Sequence, residues 1–246
     1  MLLNPTYEWL LKQIKKDFPT GKISIIDYGC GNGYFLDLLP LKKVKTYAGF
    51  DVNAAGLQVA KARNLPAHFS FHSMSAGKVP HLGKKESVDL IILIGVFQYM
   101  KDQEIQEFLH HAYRTLRPGG RIISSSVVDK KVYTSTNLYQ FVYPNRYLTR
   151  HQLEKDLEDR GYVVTDSFEK GLLLNPLFFH GAVLFFDAID HYLLGTRGRL
   201  GLVGKSVRRL FLPILRLEFF LPFDFGYTWI FSAQKISRES KSFLIH

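Results

Sequence analysis

The order of its apolar runs predicts an α/β fold built on a mostly parallel sheet. Three observations carry this. Short β-rich runs alternate with helical patterns through the first two-thirds of the chain, one run is apolar without a break, and glycines gather directly behind the first run. The 246 residues suffice for one α/β domain with an insertion, and 46% hydrophobic composition supports a well-buried core.

Each element has its own reason. A helix is expected over 5–17, where Tyr7, Leu10, Leu11 and Ile14 share one side. Strand one, 23–27, runs into the glycine loop, and a helix over 33–39 follows. Strand two spans 46–52, the next helix 54–63, and strand three 67–71. Strand four, 88–94, is a Val/Leu/Ile run behind one acid, the pattern of a central strand buried on both faces. A helix over 102–116 leads to Pro118-Gly119-Gly120, read as a tight turn into strand five at 121–127. Thr149 is expected to cap a helix over 149–160 that Gly161 ends. Strand six is 162–168 and the last strand 227–234. Between these two lies a stretch, 171–226, rich in Phe, Leu and Arg; so long a structureless loop would not suit a compact domain, so it is read as a helical insertion. The expected organisation is one domain over 1–246: N-terminal helix 5–17, core 21–170 and 227–236, insertion 171–226.

Charge and cysteine content narrow the function. Lys and Arg number 32 against 22 Asp and Glu, a formal charge of +10, which points to anionic partners such as nucleic acid, an acidic membrane surface or charged metabolites. A single cysteine, Cys30, excludes an intramolecular disulfide framework and a Cys-rich metal centre, and no metal site is expected. Asn4, Pro5, Glu8 and Lys12 break up the first apolar residues, unlike a signal peptide, and no stretch approaches the ~20 apolar residues of a spanning helix. A cytoplasmic protein is the expectation.

The loop behind strand one reads Asp27-Tyr28-Gly29-Cys30-Gly31-Asn32-Gly33. A strand that turns sharply while its backbone approaches a ligand favours glycine. A phosphate-gripping P-loop needs Lys-Ser/Thr after its last glycine, where this chain has Tyr34-Phe35. A dinucleotide fingerprint would need its third glycine at Tyr34.

The loop resembles motif I of the class I, Rossmann-like, S-adenosylmethionine-dependent methyltransferases. The likeness continues through Gly49-Phe50-Asp51 at the end of strand two and Val88-Asp89-Leu90-Ile91-Ile92 in strand four. Gly95-Val96-Phe97-Gln98-Tyr99-Met100 is similar to that family's active-site turn, and Leu116-Arg117-Pro118-Gly119-Gly120 to its motif before strand five. The resemblance implies a three-layer sandwich with a seven-stranded sheet, parallel except for the last strand. It implies S-adenosylmethionine as cofactor, with contacts at Asp27, Gly29, Cys30, Gly31, Gly33, Asp51, Val52, Ser73, Met74 and Gly95. Asp51 is expected to take the ribose hydroxyls, since a carboxylate accepts two hydrogen bonds from a vicinal diol, and Val52 to pack on the adenine. Phe71-His72-Ser73-Met74 departs from the family in lacking an acid, which leaves Ser73 and the Met74 backbone to meet the adenine. Gln98 and Tyr99 are the candidates for the acceptor pocket. No catalytic residue is named, because a departing sulfonium leaves as a neutral group and a base is needed only for a hydroxyl or protonated-amine acceptor.

Plainer readings stand beside these. Asp27 would bind loop N–H groups, Asp51 would cap the next helix together with Asn53, and Cys30 would fill space. Tyr99, Tyr7 and Trp9 would be packed aromatics.

Acceptor class is read from the variable parts. Tyr133, Tyr139, Phe141, Tyr143 and Tyr147 suit an aromatic-lined pocket for an apolar or ring-shaped acceptor. In 177–194, Asp187 and His191 lie four apart and read as an ion pair or a solvated stripe. Over 195–217, Arg197, Arg199, Lys205, Arg208, Arg209 and Arg216 interleave with Leu, Val, Ile and Phe without an acid, and Phe219, Phe220 and Phe223 follow. That pattern, 195–223, suits an anionic membrane surface, or else a cap with a basic outer face. The expected function is methyl transfer to a small-molecule or lipid-like acceptor, with peripheral membrane contact. The alternatives are an RNA (tRNA or rRNA) methyltransferase, which the Leu/Phe content disfavours, and a non-catalytic cofactor-binding or scaffold protein of the same fold.

Overall fold

The uninterrupted run behind Asp89 lies at the centre of the sheet. In the computed structural model, residues 5–128, 148–170 and 228–236, together with Pro213, Leu217 and Gly226, are described. Strand β4 (Val88–Ile94) has β1 (Ile23–Tyr28) on one side and β5 (Leu116–Val127) on the other, both parallel to it. β2 (Val44–Asp51) and β3 (Phe69–Ser73) continue the parallel sheet beyond β1. β7 (Thr228–Lys235) runs antiparallel between β5 and the edge strand β6 (Tyr162–Lys170), giving the order β3-β2-β1-β4-β5-β7-β6. The expected seven strands, with the last one reversed, are all present.

Alternation along the strands splits the core into two layers. Ile91 and Leu93 of β4 join Ile26 and Tyr28 of β1 on one face, with Leu90, Ile92 and Ile25 on the other. Helices α3 (Asp102–Thr115) and α4 (Arg150–Asp159) cover the first face with Ile105, Phe108, Leu109, Leu153 and Leu157. Helices α1 (Pro5–Asp17) and α2 (Ala54–Lys61) cover the second with Leu10, Ile14, Leu57 and Ala60. Such i, i+3, i+4 sets are the apolar stripe by which a helix packs on a sheet. Thr149 caps α4, its hydroxyl accepting from the Gln152 N–H at 3.1 Å, and Gly161 ends it at φ +90°. Arg121 on β5 pairs with Asp17 (3.2 Å) and donates to Thr165 (2.7 Å), so the end of α1 is tied to β5 and β6.

Two expectations need correction. Residues 33–39 hold no α-helix, only a 3-10 segment from Tyr34 to Leu38 behind a left-handed Gly33. Pro40 follows at once, and so short a span cannot repay helix nucleation. Pro118-Gly119-Gly120 is not a turn before β5 but a bulge within it: Val88 pairs with Leu116, Leu90 with Arg121, and the residues between loop out opposite Asp89. Asp89 anchors that bulge, pairing with Arg117 at 2.6 Å while accepting from the Ser24 N–H at 2.7 Å. The aromatic segment 133–147, the pair Asp187–His191, the helical insertion and the basic residues of 195–217 lie outside the described residues.

Ile91 is fully buried in β4, whereas the ion pair of Lys16 with Asp166 is exposed at the sheet edge. Ile91→Ala should therefore cost about 2–5 kcal/mol in urea denaturation and Lys16→Ala under about 1 kcal/mol. Equal losses would mean that β4 is not the packing centre.

Candidate cofactor and acceptor site

Strand order reverses between β1 and β4: β2 and β3 lie beyond the one, β5 to β7 beyond the other. In open α/β sheets the loops part at such a reversal and leave a crevice at the carboxyl ends of the strands. The loop behind β1 and the turn behind β4 meet there. A Cβ added to Gly29 would sit 2.4 Å from Val96 Cγ2, so only glycine permits the approach.

The loop is held in place by the end of β2. The Phe50 carbonyl accepts from the N–H groups of Gly29 (2.7 Å) and Cys30 (3.1 Å). The Asp51 carboxylate accepts from the Gly31 N–H at 2.6 Å through Oδ2 and from the Asn53 N–H at 2.7 Å through Oδ1. Its carbonyl accepts from the Met74 N–H at 3.0 Å. Loops from three strands therefore converge on Phe50 and Asp51. The helix cap is Asn53 alone, whose side chain accepts from the Gly56 N–H at 3.1 Å. Asp51 is thus a hub and not the cap, and its oxygens keep lone pairs beyond these two bonds.

Gly31 sits at φ +55°, and no atom lies within 4 Å of where its Cβ would stand. The loop backbone there faces open space. Val52, 53% exposed, follows the Asp51 carboxylate, and Ser73 is exposed at the end of β3. The Met74 backbone, expected to meet the adenine, has its N–H committed to Asp51 and only its carbonyl left; its side chain packs on the core.

Asp27 and Cys30 point inward. Asp27 is 3% exposed and accepts a 2.6 Å hydrogen bond from the Tyr47 hydroxyl. Burial, helped by the charge of Asp51, pushes its carboxyl up to about 7 against the pull of the Tyr47 bond. Burial also pushes the Cys30 thiol well up, so this cysteine fills space and is no thiolate. Tyr7 stacks on Phe35 and Trp9 meets Phe168 edge-on, so both are packed aromatics beside the loop and the sheet.

The turn behind β4 is pinned at two points. The Gly95 N–H donates to the Ser125 carbonyl at 2.8 Å, and Phe97, fully buried, packs against Phe108 and Phe231. Gln98 is buried too, its Oε1 accepting from the Val127 N–H at 3.1 Å. Tyr99 alone of the two acceptor-pocket candidates reaches the surface, at 51% exposure. Gln98 thus sets the turn, and Tyr99 is what the turn presents.

Three participants have no local signal in the sequence. Tyr47 is the partner of Asp27, Val96 closes on Gly29, and Arg63 donates to the Gly33 carbonyl at 2.7 Å while pairing with Asp37. Each acts across 20 residues or more.

Open backbone at Gly31, a carboxylate with spare lone pairs and an exposed Val52 thus come together at the end of β2. A methyltransferase-domain family model matches residues 8–167. The chain belongs to this family. That match shows a methyltransferase domain over those residues. The malonyl-[acyl-carrier protein] O-methyltransferase of Priestia megaterium is 26% identical to it over 118 residues, which cover 48% of this chain but only 41% of that relative. An S-adenosylmethionine-dependent methyltransferase from Mesorhizobium loti superposes with a TM-score of 0.61 at 17% identity, covering 93% of this chain and 98% of the other. The geranyl diphosphate C-methyltransferase of Streptomyces coelicolor A3(2) gives 0.60 at 13% identity over 93% and 79%. At such identities the two structures speak for the fold alone.

The Asp27 carboxyl offers a pH test. It holds its proton to about pH 7 when folded, against its ordinary 3.8, so the folded state binds the extra proton between those values. The contribution of Asp27 to stability should therefore fall as pH rises from 4 to 7, by up to about 1.4 kcal/mol per pH unit, and level off above. Asp27→Asn removes that slope while keeping an oxygen for Tyr47. A wild-type-minus-variant difference in denaturation free energy that stays flat with pH would refute the assignment.

Proposed function

We propose that this methyltransferase acts on a small-molecule acceptor seated over the turn behind β4, with the donor held on the loop behind β1. The observation that carries the reading is Tyr99, exposed on a turn whose Val96 lies against Gly29. Backbone at Gly29, Cys30, Gly31, Gly33 and Gly95 would line the donor, Asp51 would take its ribose hydroxyls, and Val52 and Ser73 would flank its adenine. Asp27 would act from beneath, through Tyr47 and the loop. Bound S-adenosylmethionine supplies an electrophilic methyl group. The protein's part is to align an acceptor and exclude water, and the Tyr99 ring is the group at hand for both. The similar Priestia protein is a malonyl-[acyl-carrier protein] O-methyltransferase, which favours a small or chain-like acceptor over RNA.

Labelled S-adenosylmethionine incubated with the protein and fractionated cell extract should place label in the small-molecule or lipid fraction. Label in RNA, or in protein other than an acyl group on a carrier, would overturn the acceptor class. Asp51→Asn turns an amide towards loop N–H donors and should weaken donor binding in calorimetry about ten- to a hundredfold. Unchanged affinity would remove Asp51 from the cofactor contacts.

The sequence of 195–223 supports a peripheral location as well. No described helix is long and apolar enough to cross a membrane, and the basic, Leu- and Phe-rich 195–223 stretch fits an anionic surface. Flotation with anionic liposomes should weaken with salt and be lost when Arg208, Arg209 and Arg216 are replaced by Gln. Equal flotation of that variant and wild type would exclude the contact.

A further inference from the structure

We infer that the cavity beneath α1, at the amino-terminal edge of the sheet, is a second binding site that takes a medium-chain fatty-acid anion. Its volume is about 250 Å³, and Leu11, Ile14, Phe18, Leu38 and Val44 make its walls apolar. Lys15 of α1 and Lys43 ahead of β2 stand among its lining residues, and no acid does. The Lys43 ammonium gives one bond to the Pro19 carbonyl at 3.2 Å, which leaves two of its three donors for a ligand. Exposed Lys22, Lys42 and Lys45 lie close to the lining residues in the chain and add to the positive field. The acids nearest in sequence are already paired: Asp17 is turned inward onto Arg121, and the half-exposed Asp37 is paired with Arg63.

Shape and charge together select the ligand. An apolar interior with a cationic rim fits a chain with one anionic end. The volume lies below the roughly 300–1,000 Å³ of pockets for drug-sized ligands, which favours a slim chain over a ring system. The site is separate from the donor loop. Ile23, in the cavity wall, opens β1, and Tyr28 closes it; at about 3.4 Å per residue that is roughly 17 Å of strand.

Calorimetric titration of the full chain with octanoate, decanoate, decanol and decyltrimethylammonium, each below its micelle concentration, tests the assignment. Decanoate should bind saturably at one site, at least tenfold tighter than decanol, and about fourfold tighter for each methylene gained from octanoate. Lys15→Gln with Lys43→Gln should reduce decanoate to the level of decanol without altering thermal stability. Leu11→Trp should block the cavity and abolish binding of both. Equal binding of all the decyl compounds, the absence of saturation, or decanoate binding unmoved by the lysine pair would overturn the proposal. Binding to anionic phospholipid vesicles that depends on Lys15 and Lys43, without binding of monomeric decanoate, would overturn it in favour of a membrane lipid.

Discussion

Asp51 at the end of β2 is the point on which the site depends. A single carboxylate accepts from the loop behind β1 and from the entry to α2, and the carbonyl of the same residue accepts from the chain leaving β3. Three connections are thereby fixed to one strand end. Charge-assisted bonds of this kind are about twice as strong as neutral ones, and here they restrain backbone whose glycines would otherwise be free. The Phe50 carbonyl repeats the device one residue earlier with two loop donors.

That hub is rigid because the sheet beneath it is. β1 and β4 are buried on both faces, and helices cover each face with regular apolar stripes. The loops rest on close-packed strands, where a one-residue slip would move every core side chain to the wrong face. The same packing confines Asp27 below the loop, where burial favours its neutral form and the Tyr47 hydroxyl is its partner. One acid thus stays with the core while the other serves the rim.

The turn behind β4 follows a similar division. Phe97 and Gln98 are spent on anchoring the turn, the first to aromatic rings of α3 and β7 and the second to the end of β5. Tyr99 is left facing outward as a result. For the proposed transfer, a turn so pinned would offer the acceptor a fixed wall, which is what an in-line displacement asks of a protein.

Much of this was legible in the residues. Periodicity places the strands and most helices, since alternation and the 3.6-residue repeat are local and burial enforces them. The glycine loop announces itself by spacing, because a tight turn near a ligand admits few residue types, and Asp51 stands out through the family resemblance. Thr149 and Gly161 mark a helix by cap chemistry alone. Other features were decided only in three dimensions. The 3-10 segment replaced a helix because Pro40 and Gly33 left too short a span, and the Pro118-Gly119-Gly120 run became a bulge because Asp89 holds Arg117 on one side of it while Leu90 pairs with Arg121 on the other. Asp27 is held by Tyr47, and Gln98 by the end of β5 at Val127. Such choices belong to partners 20 to 29 residues away, and only packing brings them within the reach of a hydrogen bond.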